Sequence, residues 1–386
     1  MDNRFTRRQV IAGSSRLGLA LAVGLPLLQA CGDNTSSSGN KKTASIKDGL
    51  APEAGPLRVF NYDSYVNPDL VKAFEKQYGV KVEITTFTTD DEAVTKIASG
   101  AVDVDLHQSA STTSLFKLVD TGLIQPLNKS YLTNIGNVAA SLRDPYYDKG
   151  AKYTVPYTVF STGIGFRADR VDAGSVSWET LWDPTYKGVT SLLDDPREGL
   201  SAAILRKGLT DVNTGDPAVI KKAGDDLGDL TTKMNIKVEI EGYHTIPEGS
   251  TTVAHTWSGD MLNAQYYLPD GTGPEVLAYW QPETAVISND TMCVLTKAKN
   301  PVLAHLFINY LLDKANAQTN FGYVGYQPAI EGIGAQELID AGLVPENLRS
   351  CVLTNDQISK GLRYLPLSTD VEALWNDAWS KFRAGA

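Results

Sequence analysis

From residue 56 onward the chain alternates short apolar runs with amphipathic segments. Residues 57–62 (Leu-Arg-Val-Phe-Asn-Tyr) read as a strand, 68–79 place apolar positions at helical spacing, and 80–85 (Val-Lys-Val-Glu-Ile-Thr) alternate again. The succession repeats, with a helical period over 91–99, a strand over 102–106 and a helix over 112–120 that Gly122 stops. Strands separated by helices of this length pair in parallel through right-handed crossovers, so the pattern predicts an open α/β sheet. Such sheets take ligands beyond the carboxyl ends of their strands. The polar stretches there are 61–65, after the first strand, and 107–114, after the third.

Residues 153–166 change the pattern to an extended, β-branched, Gly-punctuated run, long enough to leave one sheet and enter another. We read it as a hinge. Beyond it Ser177 caps a helix, a helix covers 217–234, strands cover 236–240, 251–257 and 276–280, and a helix runs from Gly259 to Tyr267. Residues 286–295 then read as a second hinge strand, 301–314 as one long helix, 322–328 as a turn and 370–383 as a closing helix with Leu374, Trp375, Trp379 and Phe382 on one face. The expectation is two α/β domains with a cleft between them, the first from 56–160 and 289–334 and the second from 161–288 and 335–386.

The densest stretch is 191–200, where an apolar strand end meets a helix start. Asp195 stands at the N-cap, Pro196 at the first helical position and Glu198 three residues after the cap, which is the spacing of a capping box. One reading makes both carboxylates caps for orphan N–H groups. The other notes that two negative charges cover a helix end that normally attracts anions, so that this end faces a cation.

The first thirty residues read as an address. Thr6-Arg7-Arg8-Gln9-Val10-Ile11 resembles a twin-arginine export signal, 17–28 form an apolar run too short to span a membrane, and Leu28-Gln29-Ala30-Cys31 resembles a lipoprotein cleavage box. Cleavage before Cys31 and acylation of its thiol are expected, with 31–55 forming a disordered, Ser- and Gly-rich tether. The expected place is the outer face of the cytoplasmic membrane or the periplasm. The chain carries a formal net charge of −10, and loss of a leader holding Arg4, Arg7, Arg8 and Arg16 against Asp2 leaves −13. That argues against nucleic acid as a partner and for small cations. Cys293 and Cys351 are too few and too far apart for a disulfide to be read from spacing. His107, His244, His255 and His305 show no metal spacing and are read as structural, and no cofactor is expected.

In their order and spacing, Val59-Phe-Asn-Tyr-Asp-Ser-Tyr65-Val, Asp103-Val-Asp-Leu106, Tyr153-Thr-Val-Pro156-Tyr, Trp182-Asp-Pro-Thr-Tyr-Lys-Gly188, Leu193-Asp-Asp-Pro-Arg-Glu198, Asp290 before a strand, and Gly325-Tyr326 resemble the spermidine/putrescine-binding periplasmic family, solute-binding proteins of ABC importers. The resemblance covers about residues 56 to 385. It implies a type II periplasmic-binding fold, a monomer that hands its ligand to an ABC permease, no enzymatic activity, and a flexible amine held between the domains by carboxylates and aromatic rings. On the matching positions it implies Asp195, Glu198 and Asp290 as acidic ligand residues, Trp257 and Tyr326 as aromatic ones, and Tyr62 and Tyr65 as the pair after the first strand. Departures are Tyr62 and Ser288 where the family carries indoles, and Ala110 and Thr112 where it carries a hydroxyl and a phenol. They weaken the apolar slot for a plain polymethylene chain and leave room for polar branches. Other solutes for such a binder are an opine, a guanidinium compound, a basic amino acid, or iron held by Tyr65, Tyr266 and Tyr267. A lipid-anchored hydrolase using Asp195 and Glu198 is a poorer fit, because one helical turn apart they suit capping better than a sugar bond.

Overall fold

The computed structural model describes residues 44–385; the leader, Cys31 and the tether up to residue 43 lie outside them. Among the described residues no helix is long and apolar enough to cross a membrane.

Among the described residues twelve strands build two sheets: β1 (Leu57–Tyr62), β2 (Val82–Phe87), β3 (Leu106–Ser111), β4 (Thr154–Pro156), β5 (Thr158–Arg167), β6 (Thr190–Leu193), β7 (Lys237–Glu239), β8 (Val253–Trp257), β9 (Leu277–Trp280), β10 (Ile287–Ser288), β11 (Asp290–Val294) and β12 (Gln327–Pro328). The first sheet has the order β2-β1-β3-β11-β4, parallel across β1, β2 and β3, with β11 antiparallel to β3 and β4. The second runs β10-β5-β8-β6-β7, with β9 and β12 also paired to β5. Helices are α1 (Pro68–Tyr78), α2 (Asp90–Ser99), α3 (Thr112–Asp120), α4 (Pro196–Arg206), α5 (Pro217–Asp229), α6 (Gly242–Glu248), α7 (Ser258–Ala264), α8 (Pro301–Leu311), α9 (Lys314–Val324), α10 (Ala335–Asp340), α11 (Asn355–Lys360) and α12 (Thr369–Gly385).

Alternation along the strands separates two apolar layers on the first sheet. Leu57, Val59, Leu106, Met292 and Val294 pack with Phe74 and Phe307 on one face, while Phe60, Ala110 and Cys293 pack with Phe87, Ile97 and Leu115 on the other. In the second lobe Ile164, Phe166 and Leu192 pack against α4, α5 and the indoles of Trp375 and Trp379 on α12. The lobes meet at two crossings. Tyr157 joins β4 to β5 and Asn289 joins β10 to β11, and the crossings lie side by side because Ser288 pairs with Phe160 and Ile287 with Ser161.

Several elements differ from the sequence expectation. The third strand begins at Leu106, where 102–106 placed its end, so the whole polar stretch 107–114 is strand and helix. The cause is Asp105, whose buried carboxylate accepts hydrogen bonds from the backbone N–H groups of Arg58, Lys299 and Asn300 at 2.7–2.9 Å and ties three segments together just before the strand. The helix expected over 301–314 ends at Leu311; Asp313 is extended and its carboxylate caps α9, which carries helix into the first three residues of the expected turn until Gly325 at φ 81°. The helix over 217–234 changes at Leu230 into a wider π turn. Residues 46–53, expected within the tether at 31–55, are held instead on the first lobe: the Glu53 carboxylate accepts from Val302 and Leu303 at the start of α8, and Asn128 donates to Ile46 O at 2.9 Å. Cys293 and Cys351 are both free and buried.

Candidate functional site

The carboxyl ends of β1 and β2, the amino end of β11 beside the end of β3, and the carboxyl ends of β6 and β8 all open on one region between the lobes. Tyr62 closes β1. Its ring lies 4.3 Å from Phe87 at the end of β2 and 6.0 Å from Tyr65, edge-on. Tyr65 donates its hydroxyl to Asp290 Oδ2 at 2.7 Å, and Thr158 Oγ1 lies 3.0 Å from that hydroxyl and 3.3 Å from the same carboxylate oxygen. The Tyr326 ring stands edge-on to Tyr65 at 5.4 Å and to Phe160 at 5.3 Å, and Phe160 is edge-on to Trp257 at 6.2 Å. A chain of rings thus links both lobes.

The two acids of 191–200 divide their work. Asp195 caps α4, its Oδ1 accepting from the N–H of Arg197 at 2.8 Å and of Glu198 at 3.0 Å. The reciprocal half of the expected capping box does not form. Glu198 instead accepts from the Trp257 indole N–H and from the Tyr364 hydroxyl, each at 3.0 Å, on the cleft side. The seven expected residues therefore form two connected groups: Tyr62, Tyr65, Asp290 and Tyr326 around the end of β1, and Glu198 with Trp257 at the end of β8, Asp195 capping below them.

Sequence reasoning missed Asp260, Asp90, Phe160 and Tyr364. Asp260, buried in the first turn of α7, accepts from the Tyr326 hydroxyl at 2.7 Å. Its signal was present, three residues after Trp257 at a helix start. Asp90 opens α2 and feels the charge of Asp195 across the cleft. Gly259 explains how Tyr326 approaches so closely, since a Cβ there would lie only 2.4 Å from the Tyr326 ring. Ala110 and Thr112 are buried, and Ser288 is half-buried beside Phe160. Tyr266 and Tyr267 do not join Tyr65: Tyr266 donates to Gly322 O and the Tyr267 ring packs on Tyr243 and His244, which removes the basis for a three-tyrosine iron site.

Five carboxylates, Asp90, Asp195, Glu198, Asp260 and Asp290, share this region. Among the described residues no lysine or arginine pairs with any of them, whereas Asp194 next door pairs with Arg383 at 3.4 Å. Arg197 stacks over the rings of Tyr364 and Trp375 at 4.7 and 4.9 Å and donates to Val212 O and Asn213 Oδ1. Burial, with the charge of Asp195, pushes the Glu198 carboxyl up to about 7. Burial alone raises Asp260 to about 7, and burial raises Asp290 to about 7 against the pull of the Tyr65 hydroxyl. Asp90 is raised to about 6 by desolvation, and Asp195 is raised by desolvation against its two backbone donors and the nearby charge of Arg197. The phenols of Tyr62, Tyr65 and Tyr326 are raised well above their usual range by burial and by these acids, so they stay neutral donors. An uncompensated buried carboxylate costs several kcal/mol, and a cation among these oxygens removes that cost.

A family model described as bacterial extracellular solute-binding protein matches residues 69–343. The chain is 30% identical over 280 residues to the spermidine/putrescine-binding periplasmic protein of Escherichia coli, covering 72% of this chain and 78% of the relative. It is 29% identical over 290 residues to the putrescine/cadaverine-binding protein of Pseudomonas aeruginosa, covering 71% and 79%. The crystal structure of the spermidine/putrescine ABC transporter substrate-binding protein PotD from Streptococcus pneumoniae matches with a TM-score of 0.71 at 25% identity, over 85% of this chain and 98% of that one.

Proposed function

The chain belongs to the spermidine/putrescine-binding periplasmic protein family of bacterial extracellular solute-binding proteins, with its two-domain type II fold, and on that premise we propose that it captures a cationic amine between its lobes for an ABC permease. The observation that carries the reading is the cluster of five carboxylates, none of which forms an ion pair with a lysine or arginine among the described residues: Asp195, Glu198, Asp260 and Asp290 accept instead from backbone N–H groups, an indole and hydroxyls. An ammonium has three donors and no acceptor, so it satisfies oxygens that a neutral solute leaves unpaired. Charge-assisted hydrogen bonds contribute about 1.5–3 kcal/mol each and a ring face about 0.5–2 kcal/mol. Three carboxylates and two rings therefore reach the roughly 8 kcal/mol of a micromolar binder after ordering costs.

Within this reading Glu198, Asp260 and Asp290 hold ammonium groups while Asp195 adds its charge from the cap of α4, Trp257, Phe160, Tyr62, Tyr65 and Tyr326 pack the methylenes, and the paired strands at Phe160 and Ser288 act as the hinge. The lobes correspond to 56–160 with 289–334 and to 161–288 with 335–386. We place the protein outside the cytoplasmic membrane, tethered through an acylated Cys31. A thermal-shift screen of putrescine, cadaverine, spermidine, agmatine and arginine tests the class: at 100 times the dissociation constant a ligand adds about 2.7 kcal/mol of stability. Stabilisation by amines is the expected result, and a flat response to all of them defeats the proposal.

A further inference from the structure

We infer that Tyr157 is a positioning residue for the candidate site, a buried phenol at the hinge that holds Tyr65 against Asp290 without itself reaching the ligand space. Tyr157 is the single residue between β4 and β5, and four segments converge on it. Its hydroxyl donates to the backbone carbonyl of Tyr65 at 2.6 Å and accepts from Asn320 Nδ2 at 2.8 Å. Its backbone N–H donates to Asp290 O at 2.7 Å, and its carbonyl accepts from Ala329 N at 3.3 Å. The ring lies edge-on to Tyr65 at 5.5 Å.

The partners extend the hold. Asn320, on α9, accepts from Asn67 N at 2.9 Å, and Asn67 caps α1 immediately after the Tyr65 loop. The same helix ends at Gly325, one residue before Tyr326. Through its phenol Tyr157 therefore fixes the loop bearing Tyr65 and the helix leading to Tyr326, and through its backbone N–H it holds the strand start bearing Asp290. Tyr157 is 6% exposed, and its hydroxyl points back into protein. Each of its bonds is to backbone or to a buried amide, so rotation of the ring leaves two buried polar groups unpaired.

The consequence falls on Asp290. The Tyr65 hydroxyl favours the ionised carboxylate, opposing the burial that raises it. The titratable groups facing Asp290 are Tyr62 at the end of β1, Tyr65 beyond it, Asp90 of α2, Tyr157 at the hinge and Tyr326 before β12. Loosening Tyr65 removes the one hydroxyl among them that donates to the carboxylate, and Asp290 then ionises at higher pH.

This inference rests on the amine-binding reading for its link to affinity, but a measurement without ligand separates the two. Melting temperature against pH is recorded for unliganded parent, Tyr157→Phe and Asn320→Ala proteins, each with and without Asp290→Asn, and putrescine and spermidine affinities are measured by calorimetry. A carboxylate whose folded pKa is raised loses its stabilising contribution as pH rises toward that pKa. Both variants should carry this decline about half a pH unit or more higher than the parent, and Asp290→Asn should abolish the difference. Amine affinity should fall about tenfold in Tyr157→Phe at constant pH. A pH profile parallel to the parent's, or a shift that persists in the Asp290→Asn background, overturns the inference even if both variants melt lower. Absence of amine binding by the parent defeats the proposed function alone, since the pH profile still tests Tyr157. If Tyr157→Phe does not fold, Asn320→Ala carries the same test.

Discussion

The Trp257 indole N–H lies 3.0 Å from Glu198 Oε1, so a carboxylate spaced for helix capping faces the cleft while its neighbour Asp195 does the capping. The two acids should therefore respond differently to neutralisation. Asp195→Ala is expected to lose about 0.5–2 kcal/mol of stability with or without ligand. Glu198→Gln should leave the unliganded protein as stable or more so at pH 8, and weaken an amine ligand about ten- to a hundredfold. Urea denaturation and calorimetry on both variants check this; a large stability loss in Glu198→Gln with unchanged affinity would return Glu198 to a structural role.

Ionisation of the cleft should be visible in pH dependence. Glu198, Asp260 and Asp290 are each raised to about 7 in the folded protein, against values near 4 for unfolded carboxyls. Unfolded chains then hold fewer protons than folded ones between pH 4 and 7, so unliganded stability is full below pH 4 and falls up to pH 7. A bound cation favours the ionised forms, so binding should release protons near pH 7 and tighten between pH 6 and 8. Calorimetry in phosphate and in Tris at one pH counts those protons. Uptake, or no exchange, goes against the buried-acid account.

Gly259 is the test of the aromatic chain. Alanine at a helical position usually favours the helix over glycine by about 1 kcal/mol, yet a Cβ here meets the Tyr326 ring. Gly259→Ala should turn that ring away, break its 2.7 Å bond to Asp260, and lower amine affinity at least about tenfold, the equivalent of 1.4 kcal/mol. Unchanged affinity would show that Tyr326 is not needed where it stands.

Acylation at Cys31 predicts that the mature protein partitions with membranes and carries lipid mass at its N-terminus. Cys31→Ala should release it to the soluble fraction. Equal fractionation and mass for the two proteins would remove the anchor.

The parts of this molecule that sequence made legible are those governed by local periodicity. The β1–α1–β2 succession, the Asp195 cap and the extended crossing at 153–166 all follow from spacing within a dozen residues. What escaped depends on distant partners. The start of β3 is set by Asp105 gathering N–H groups from Lys299 and Asn300, nearly 200 residues away. The break between α8 and α9 was hidden because Leu311 and Leu312 continue the apolar rhythm across it. In the site, Tyr364 sits in an aperiodic stretch that only the fold brings to Glu198, and Asp90 lies one residue before the helix that periodicity marks over 91–99, although it opens α2.

The most direct test of the central claim is calorimetric titration of putrescine and spermidine, with 1,4-butanediol as the uncharged counterpart, into the parent and Asp290→Asn proteins at pH 8. The account predicts binding of at least one amine, none of the diol, a loss of about 1.5–3 kcal/mol in the variant, and an unliganded variant at least as stable as the parent. Equal amine affinity in both proteins, together with a less stable unliganded variant, would contradict it.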